Sequence, residues 1–354
     1  MAKKQIIRSI AFVLVAVLML AVLCDMFEIE NTKNYDKNMN TFRNLPQNTI
    51  DAVYLGTSGV DRYWMGPKAY EEHGLSIYPV SYDAFPAWFY TNLIDEVLSR
   101  QDPELILIDV RAFTQDDTRL EIRARRYLDS LPFFSINRIK AAFKAMSYIH
   151  ENDPEAPRFD ASLLFSVIKY HSKWSEDYLL ENNLGSKEQL YGGFYVAEKR
   201  SIRKRPHADV VFDPTQFKDL APAAERGLYE LIDYIKEKEL NVLFVDTPQF
   251  PDENELGRTN TTYKILEENN MKVLHFYKEG TAAYTIDLDK ATDFYDESHV
   301  NYYGAEKFTT ALADYLIENY DLPDRRNDES VGAVWAGKYD KIKSDIAIFE
   351  KKKK

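Results

Sequence analysis

Three side chains of this sequence, Ser58, Asp296 and His299, are of the types that together carry out acyl transfer through an activated hydroxyl. Ser58 lies in "DAVYLGTSG", where an apolar run, Ala52 to Leu55, stops at a cluster of small residues. Gly56 and Gly59 let a backbone turn sharply and approach a ligand closely. A hydroxyl in that setting is either a helix-capping serine at an ordinary strand-to-helix turn or a nucleophile presented at a strand end. The G-x-S-x-G elbow is not matched, because Val60 follows Gly59. Asp296 and His299 lie in "DFYDESHVNYYGAEKF", Asp293 to Phe308, just ahead of an apolar-periodic stretch. On a helical turn their spacing puts both side chains on one face. The carboxylate then accepts a hydrogen bond from one imidazole nitrogen and leaves the other free to take a proton from a hydroxyl.

These groups are far apart in the chain, so a fold must bring them together. Continuous apolar runs read as strands at Asp51–Gly56, Leu75–Ser81, Pro103–Val110, Leu240–Pro248 and Met271–Tyr277. Runs that are apolar throughout, rather than alternating, suit a parallel sheet buried on both faces. Helical patterns lie between them at Ala87–Arg100, Pro222–Lys238, Thr259–Asn270 and Tyr302–Asn319. The alternation predicts a doubly wound α/β domain over 49–323. Ligands bind at the carboxyl ends of such strands, where Ser58 falls. The stretch between the third and fourth strands is far longer than one crossover helix needs. It holds helical patterns at Ile136–His150 and Ala161–Tyr170, which predict an inserted helical subdomain at about 112–221. After Leu322-Pro323 the chain turns polar, and 324–354 reads as a peripheral extension.

The N-terminus carries Lys3, Lys4 and Arg8 ahead of an unbroken apolar run from Ile10 to Cys24. With Ile6, Ile7, Met26 and Phe27, and with Arg8 snorkelling, the run approaches the ~20 residues a membrane span needs. Cys24-Asp25-Met26-Phe27-Glu28 is a poor cleavage site. Residues 1–27 are therefore expected to be an uncleaved signal anchor and the Asn-rich 28–48 a stalk. Basic residues before the span predict a cytoplasmic N-terminus and an extracytoplasmic domain. Cys24 is the only cysteine of the 354 residues, so the soluble part has neither a disulfide nor a thiolate metal site. The composition, 45% hydrophobic and 29% charged, is that of a globular protein. A net charge of -12 argues against nucleic-acid binding, which requires a basic patch.

Gly56-Thr57-Ser58 after the first strand, with Asp296-x-x-His299-x-Asn301-x-x-Gly304 before the last helix, resembles the SGNH (GDSL-type) hydrolase superfamily. The resemblance covers roughly 50–110 and 240–320. It implies a flavodoxin-like doubly wound sheet, with Ser58 as nucleophile, His299 as general base and Asp296 as its orienter. Thr57 stands where the family usually has Asp. The stretch Val80 to Trp88 lacks the family's oxyanion-hole glycine, so a backbone N–H near Asp83 or Ala84 is expected to serve with that of Ser58. Asp109-Val110-Arg111 replaces the usual Gly-x-Asn-Asp. Gly56, Thr57, Asp83, Ala84, Arg111 and Asn301 are therefore the candidate oxyanion and substrate residues. The anchor, the insertion and the two blocks together are similar to the membrane-anchored branch that includes the teichoic acid D-alanylation protein and the alginate-type O-acetylation proteins. That likeness implies O-acyl transfer of acetyl or D-alanyl type on an extracytoplasmic polysaccharide or teichoic acid, with a membrane-bound O-acyltransferase as partner. It implies neither metal nor cofactor. A carbohydrate esterase of the same fold and a non-catalytic assembly factor remain alternatives.

Other features have plainer readings. The acidic run Asp287, Asp289, Asp293, Asp296 and Glu297 lacks a calcium-loop frame, because Lys290 and Ala291 follow Asp289. His73, His150, His171, His207 and His275 have no metal-ligand spacing and read as surface or packing residues. Arg119, Arg123, Arg125 and Arg126 read as a solvated helix face, or else as a phosphate-binding one. Trp64, Trp88, Tyr302 and Tyr303 are candidates for stacking on sugar rings.

Overall fold

A computed structural model describes residues 2–27, 33–173, 190–197 and 211–351. The described helices are α1 (Ala2–Met26), α2 (Lys33–Arg43), α3 (Ser58–Asp61), α4 (Gly66–His73), α5 (Tyr90–Leu98), α6 (Leu120–Asp129), α7 (Ile136–Asn152), α8 (Ala161–Leu164), α9 (Ser166–Tyr170), α10 (Pro222–Lys238), α11 (Glu253–Glu268), α12 (Tyr302–Asn319), α13 (Glu329–Trp335) and α14 (Lys338–Lys351). The strands are β1 (Ala52–Gly56), β2 (Ile77–Ser81), β3 (Leu105–Asp109), β4 (Leu190–Tyr191), β5 (Phe194–Tyr195), β6 (Val242–Val245) and β7 (Lys272–Leu274). Two compact units result, Met1–Lys37 with Leu120–Lys187, and Asn38–Arg119 with Glu188–Lys354.

The second unit is a mixed α/β domain around a five-stranded parallel sheet of order β2-β1-β3-β6-β7. Leu55 of β1 lies opposite Val80 of β2 and Ile108 of β3. Every residue of β1, β2, β3 and β6 is buried, as unbroken apolar runs require when helices cover both faces of a sheet. Strand order reverses between β1 and β3, which opens a crevice at their carboxyl ends. Ser58 follows β1 and Arg111 follows β3, so both sit at that crevice.

Several boundaries differ from expectation. The helix predicted from Thr259 begins at Glu253, because Asp252 and Glu255 form a reciprocal capping box that satisfies its first amides. The pattern Ala161–Tyr170 is two short helices broken at Phe165. The helical unit takes in Leu120–Lys187, narrower than 112–221, and the β4–β5 hairpin belongs to the sheet unit. The basic stretch Lys199–Arg205 and His207 lie outside the described residues. The expected stalk gives way at Asn38 to sheet-unit structure: the Tyr78 hydroxyl donates to Asn38 Oδ1 at 2.9 Å, and Arg43 pairs with Glu96 at 2.7 Å. Part of the C-terminal segment packs into the sheet unit, while its last helix, α14, buries Ile342. Trp335 is buried, stacks on Tyr70 and donates from its indole N–H to Ser76 Oγ at 2.9 Å.

In the helical unit, α1 is long and apolar enough to cross a membrane, with mean hydropathy 2.8 over an 18-residue window of Lys3–Met26. Its 24 residues rise roughly 36 Å, more than the ~30 Å of a hydrocarbon core. Its C-terminal end is fastened to α9: Ser166 Oγ donates to Cys24 O at 2.7 Å, and Phe27 packs on Tyr170 and Val167. Arg125, expected on a solvated face, is only 2% exposed. Its guanidinium donates to Ser162 O at 2.7 Å and Ser162 Oγ at 2.6 Å, locking α6 to α8.

Candidate active site

Ser58 is the first residue of α3. Thr57 caps that turn, accepting from the Gly59 N–H at 3.1 Å. The same Thr57 hydroxyl donates to Asp109 Oδ2, which also accepts from the Thr57 N–H at 3.1 Å. Asp109, fully buried at the end of β3, accepts the Arg111 N–H on its other oxygen at 3.1 Å. One carboxylate thus ties the ends of β1 and β3 together and fixes where the serine emerges. Burial pushes its pKa up, while Arg111 and the Thr57 hydrogen bonds pull it down. The joint needs a glycine at 56: a Cβ there would stand 2.3 Å from Asp109 Cβ.

The histidine arrives from the loop before α12. Ser58 Oγ lies 2.7 Å from His299 Nε2, and His299 Nδ1 lies 2.9 and 3.1 Å from the two Asp296 oxygens. The spacing of three residues is produced not by a helical turn but by a tight loop. Phe294 and Val300 bridge antiparallel across it, and the Tyr295 N–H donates to His299 O at 2.8 Å. Asp296 also accepts from the Ser298 N–H at 2.9 Å, so its carboxylate is oriented from two sides. Burial is the main cause that lowers the His299 pKa to about 4; the positive charges of Arg111 and Arg62 add to it, and the Asp296 hydrogen bond opposes it. Burial alone would raise the Asp296 pKa, but the His299 and Ser298 hydrogen bonds and the Arg62 charge bring it below the usual value. Near neutral pH the imidazole is therefore uncharged and the carboxylate ionised, the state in which Ser58 can donate its proton to Nε2.

The other candidates divide. Arg111 Nη1 donates to Ser298 O at 2.9 Å, so it grips the histidine loop rather than standing free as an oxyanion donor. Asn301 caps α12 through Gly304 and Tyr303 and donates to Thr292 O at 2.6 Å; its amide is structural, not substrate-facing. Asp83 and Ala84 are half-buried in the turn after β2, and Ala84 holds a φ of +52°, a conformation glycine adopts more readily. Trp64, Trp88 and Tyr302 are core residues rather than sugar platforms; the Trp64 indole donates to Ile77 O at 3.0 Å. Tyr303 is half-buried and donates to Glu350 at 2.7 Å.

Three neighbours complete the site; the roles of Tyr63 and Arg62 had no signal in the sequence, whereas Thr247 lies in the Thr247-Pro248 strand end that belongs to the resemblance. The Tyr63 hydroxyl lies 2.6 Å from Pro248 O and 3.1 Å from Ser298 O, a second hold on the loop. The Arg62 guanidinium stands 4.4 Å from the Tyr195 ring centre and 5.7 Å from that of Tyr295, close enough for its charge to act on both Asp296 and His299. Thr247 Oγ1, at the end of β6, is buried with no hydrogen-bond partner among the described residues. Gly59 makes room for this layer: a Cβ there would meet Arg111 Nη1 at 2.8 Å and Thr247 Oγ1 at 2.9 Å. A hydroxyl, an imidazole and a carboxylate in line at the carboxyl end of a parallel sheet can perform nucleophilic acyl transfer. No protein-family model and no curated protein matches this chain.

Proposed function

We propose that this chain is a membrane-anchored, extracytoplasmic serine acyltransferase of SGNH type, moving an acetyl- or D-alanyl-type group to or from a cell-wall or secreted polysaccharide or teichoic acid. The observation that carries the reading is the unbroken line from Ser58 Oγ through His299 to Asp296, with contacts of 2.7 and 2.9 Å. The strand order β2-β1-β3-β6-β7, which is the flavodoxin-like order, supports the fold assignment, and α1 preceded by Lys3, Lys4 and Arg8 supports the topology.

In the proposed reaction Ser58 Oγ attacks an acyl ester while His299 Nε2 takes its proton. Asp296 holds the Nδ1–H tautomer and stabilises the imidazolium as it forms. The Ser58 and Ala84 backbone N–H groups are assigned to the oxyanion; at Ala84 the left-handed backbone takes the place of the glycine expected in that turn. His299 returns the proton to the departing alcohol, leaving an acyl ester on Ser58. It then deprotonates the acceptor hydroxyl, whose attack frees the serine. An acceptor hydroxyl on a polymer gives transfer and water gives hydrolysis, so the esterase alternative uses the same residues.

Turnover of an activated acyl ester by the full-length chain tests the reading. Ser58→Ala and His299→Ala are each expected to lower kcat on the order of 10^3-fold or more. Wild-type turnover in both variants would leave the non-catalytic assembly factor as the better account. Acyl-acid release that an added glycan acceptor fails to divert would favour the esterase.

A further inference from the structure

The helical unit carries several large apolar side chains on its outside as well as in its core. The inner face of α7 buries Arg138, Ala141, Ala142, Ala145, Met146 and Tyr148, whereas Ile136, Ile139 and Phe143 recur at helical spacing on the outer face. Their exposures run from 46% at Ile139 to 72% at Ile136, and Phe134 and Phe159 beside them are 63% and 58% exposed. The Phe143 and Phe159 rings lie 6.3 Å apart, so Phe159 extends the apolar stripe of α7. A water-facing helix turns polar side chains outward, and an exposed patch of this kind marks a surface made for another phase or partner.

We infer that this face of α7, with Phe134 and Phe159, lies in the headgroup–acyl boundary of the bilayer that α1 spans. Two observations select lipid as the occupant. The patch belongs to the same compact unit as α1, whose C-terminal end is hydrogen-bonded and packed to α9; α9 in turn packs on α8, and α8 on α7. The unit is thus held at the membrane end of the anchor. Along α7 the local charge also suits an anionic surface: in a chain of net charge -12, no acidic residue occurs from Ser130 to His150, while Lys140 is exposed beside Ile139 and Lys144 follows Phe143; acidic residues begin at Glu151, in the last turn of α7, and continue through Asp153, Glu155 and Asp160 near Phe159. Interfacial helices combine an apolar face with flanking lysines in this way. The inference rests on α1 spanning a bilayer and not on the acyl-transfer reading.

The test uses full-length protein in a Cys24→Ala background, reconstituted in vesicles of phosphatidylcholine and phosphatidylglycerol. A nitroxide is attached in turn at Ile136→Cys, Phe143→Cys, Leu14→Cys in α1 and Tyr229→Cys on exposed α10. Collision with oxygen and with a water-soluble nickel chelate is then measured. The expected result is an oxygen-to-nickel ratio several-fold higher at 136 and 143 than at 229, moving towards the value at 14. Ratios at 136 and 143 equal to that at 229 would overturn the inference while leaving the anchor intact. Protection at both positions from both reagents would mean a protein cover and would also overturn it. A water-like ratio at 14 would remove the anchor and the inference together, without touching the triad. Two independent positions guard against one cysteine disturbing the fold.

Discussion

Ser58 and His299, the proposed nucleophile and base, are held in opposite ways. Ser58 emerges from a strand end whose neighbours are regular structure: β1 pairs with β2 and β3, and buried Asp109 pins Thr57 from both its N–H and its hydroxyl. His299 sits in a loop with a single antiparallel bridge, and its position depends on long side chains gripping one carbonyl, Ser298 O, from Arg111 and Tyr63. The difference teaches that the serine side is fixed by the sheet's own stability, whereas the histidine side is fixed by polar contacts that can be weakened with little harm to the core.

That contrast can be broken by substitution. The largest effect on activity is expected on the serine side itself, where Ser58→Ala removes the proposed nucleophile. Next comes Arg111→Met, which frees the histidine loop without touching Ser58 or His299. Ester turnover should fall on the order of 10- to 100-fold, as small misplacements of a reacting group do, while the thermal midpoint changes less than in Asp109→Asn. Asp109→Asn should cost stability of about 2 kcal/mol by chemical denaturation, because a buried charge-assisted acceptor is replaced by an amide. If Arg111→Met destabilised the chain more than Asp109→Asn, the division between the two halves would be wrong. Tyr63→Phe is the mildest, at about 1 kcal/mol, with most of the loss expected in kcat rather than KM.

Protonation sharpens the comparison. Burial raises the pKa of Asp61, beside the nucleophile on α3, to about 7, that of Asp246 to about 7 and that of Asp51 to about 6. Each stays protonated in the folded chain over a range where the unfolded chain has ionised. Their contribution to stability is complete below about 4 and is lost as pH rises to about 7. His299, lowered to about 4, acts in the opposite sense between there and its ordinary 6.5. Burial also raises the pKa of Asp109 and Glu306 and lowers that of His275, so five carboxyls stand against two imidazoles and the expected net slope is negative over that window. Asp61→Asn should flatten it by up to about 1.4 kcal/mol per pH unit, read from denaturant titrations at several pH values. The activity limb differs: turnover should hold through mildly acidic pH and fall only near pH 4, as His299 takes up a proton.

Much of this was legible in the residues. Five apolar runs gave five parallel strands; in β1, β2, β3 and β6 burial on both faces leaves little room for polar side chains, whereas the edge strand β7 opens with exposed Lys272. The residues that meet at the site were also legible, since strand ends and the turn before a last helix are where such a fold presents chemistry. What supports them was not. Tyr63 and Arg111 act on Ser298 across hundreds of residues of chain, and no local pattern encodes such a contact. Arg62 beside Tyr195 and Tyr295 is the same case. The aromatic residues expected near sugar were misplaced for a different reason: Trp64 and Tyr302 adjoin the reactive residues in sequence, but they begin helices or turns whose inner faces fill the core.

Covalent mapping of the reactive hydroxyl probes the central claim most directly. Full-length protein is treated with a fluorophosphonate at neutral pH, digested and sequenced by mass spectrometry. The account predicts one adduct, on the peptide containing Ser58, formed far more slowly in His299→Ala and absent in Ser58→Ala. Equal labelling of the Ser58→Ala chain, or an adduct on a different hydroxyl, would contradict it.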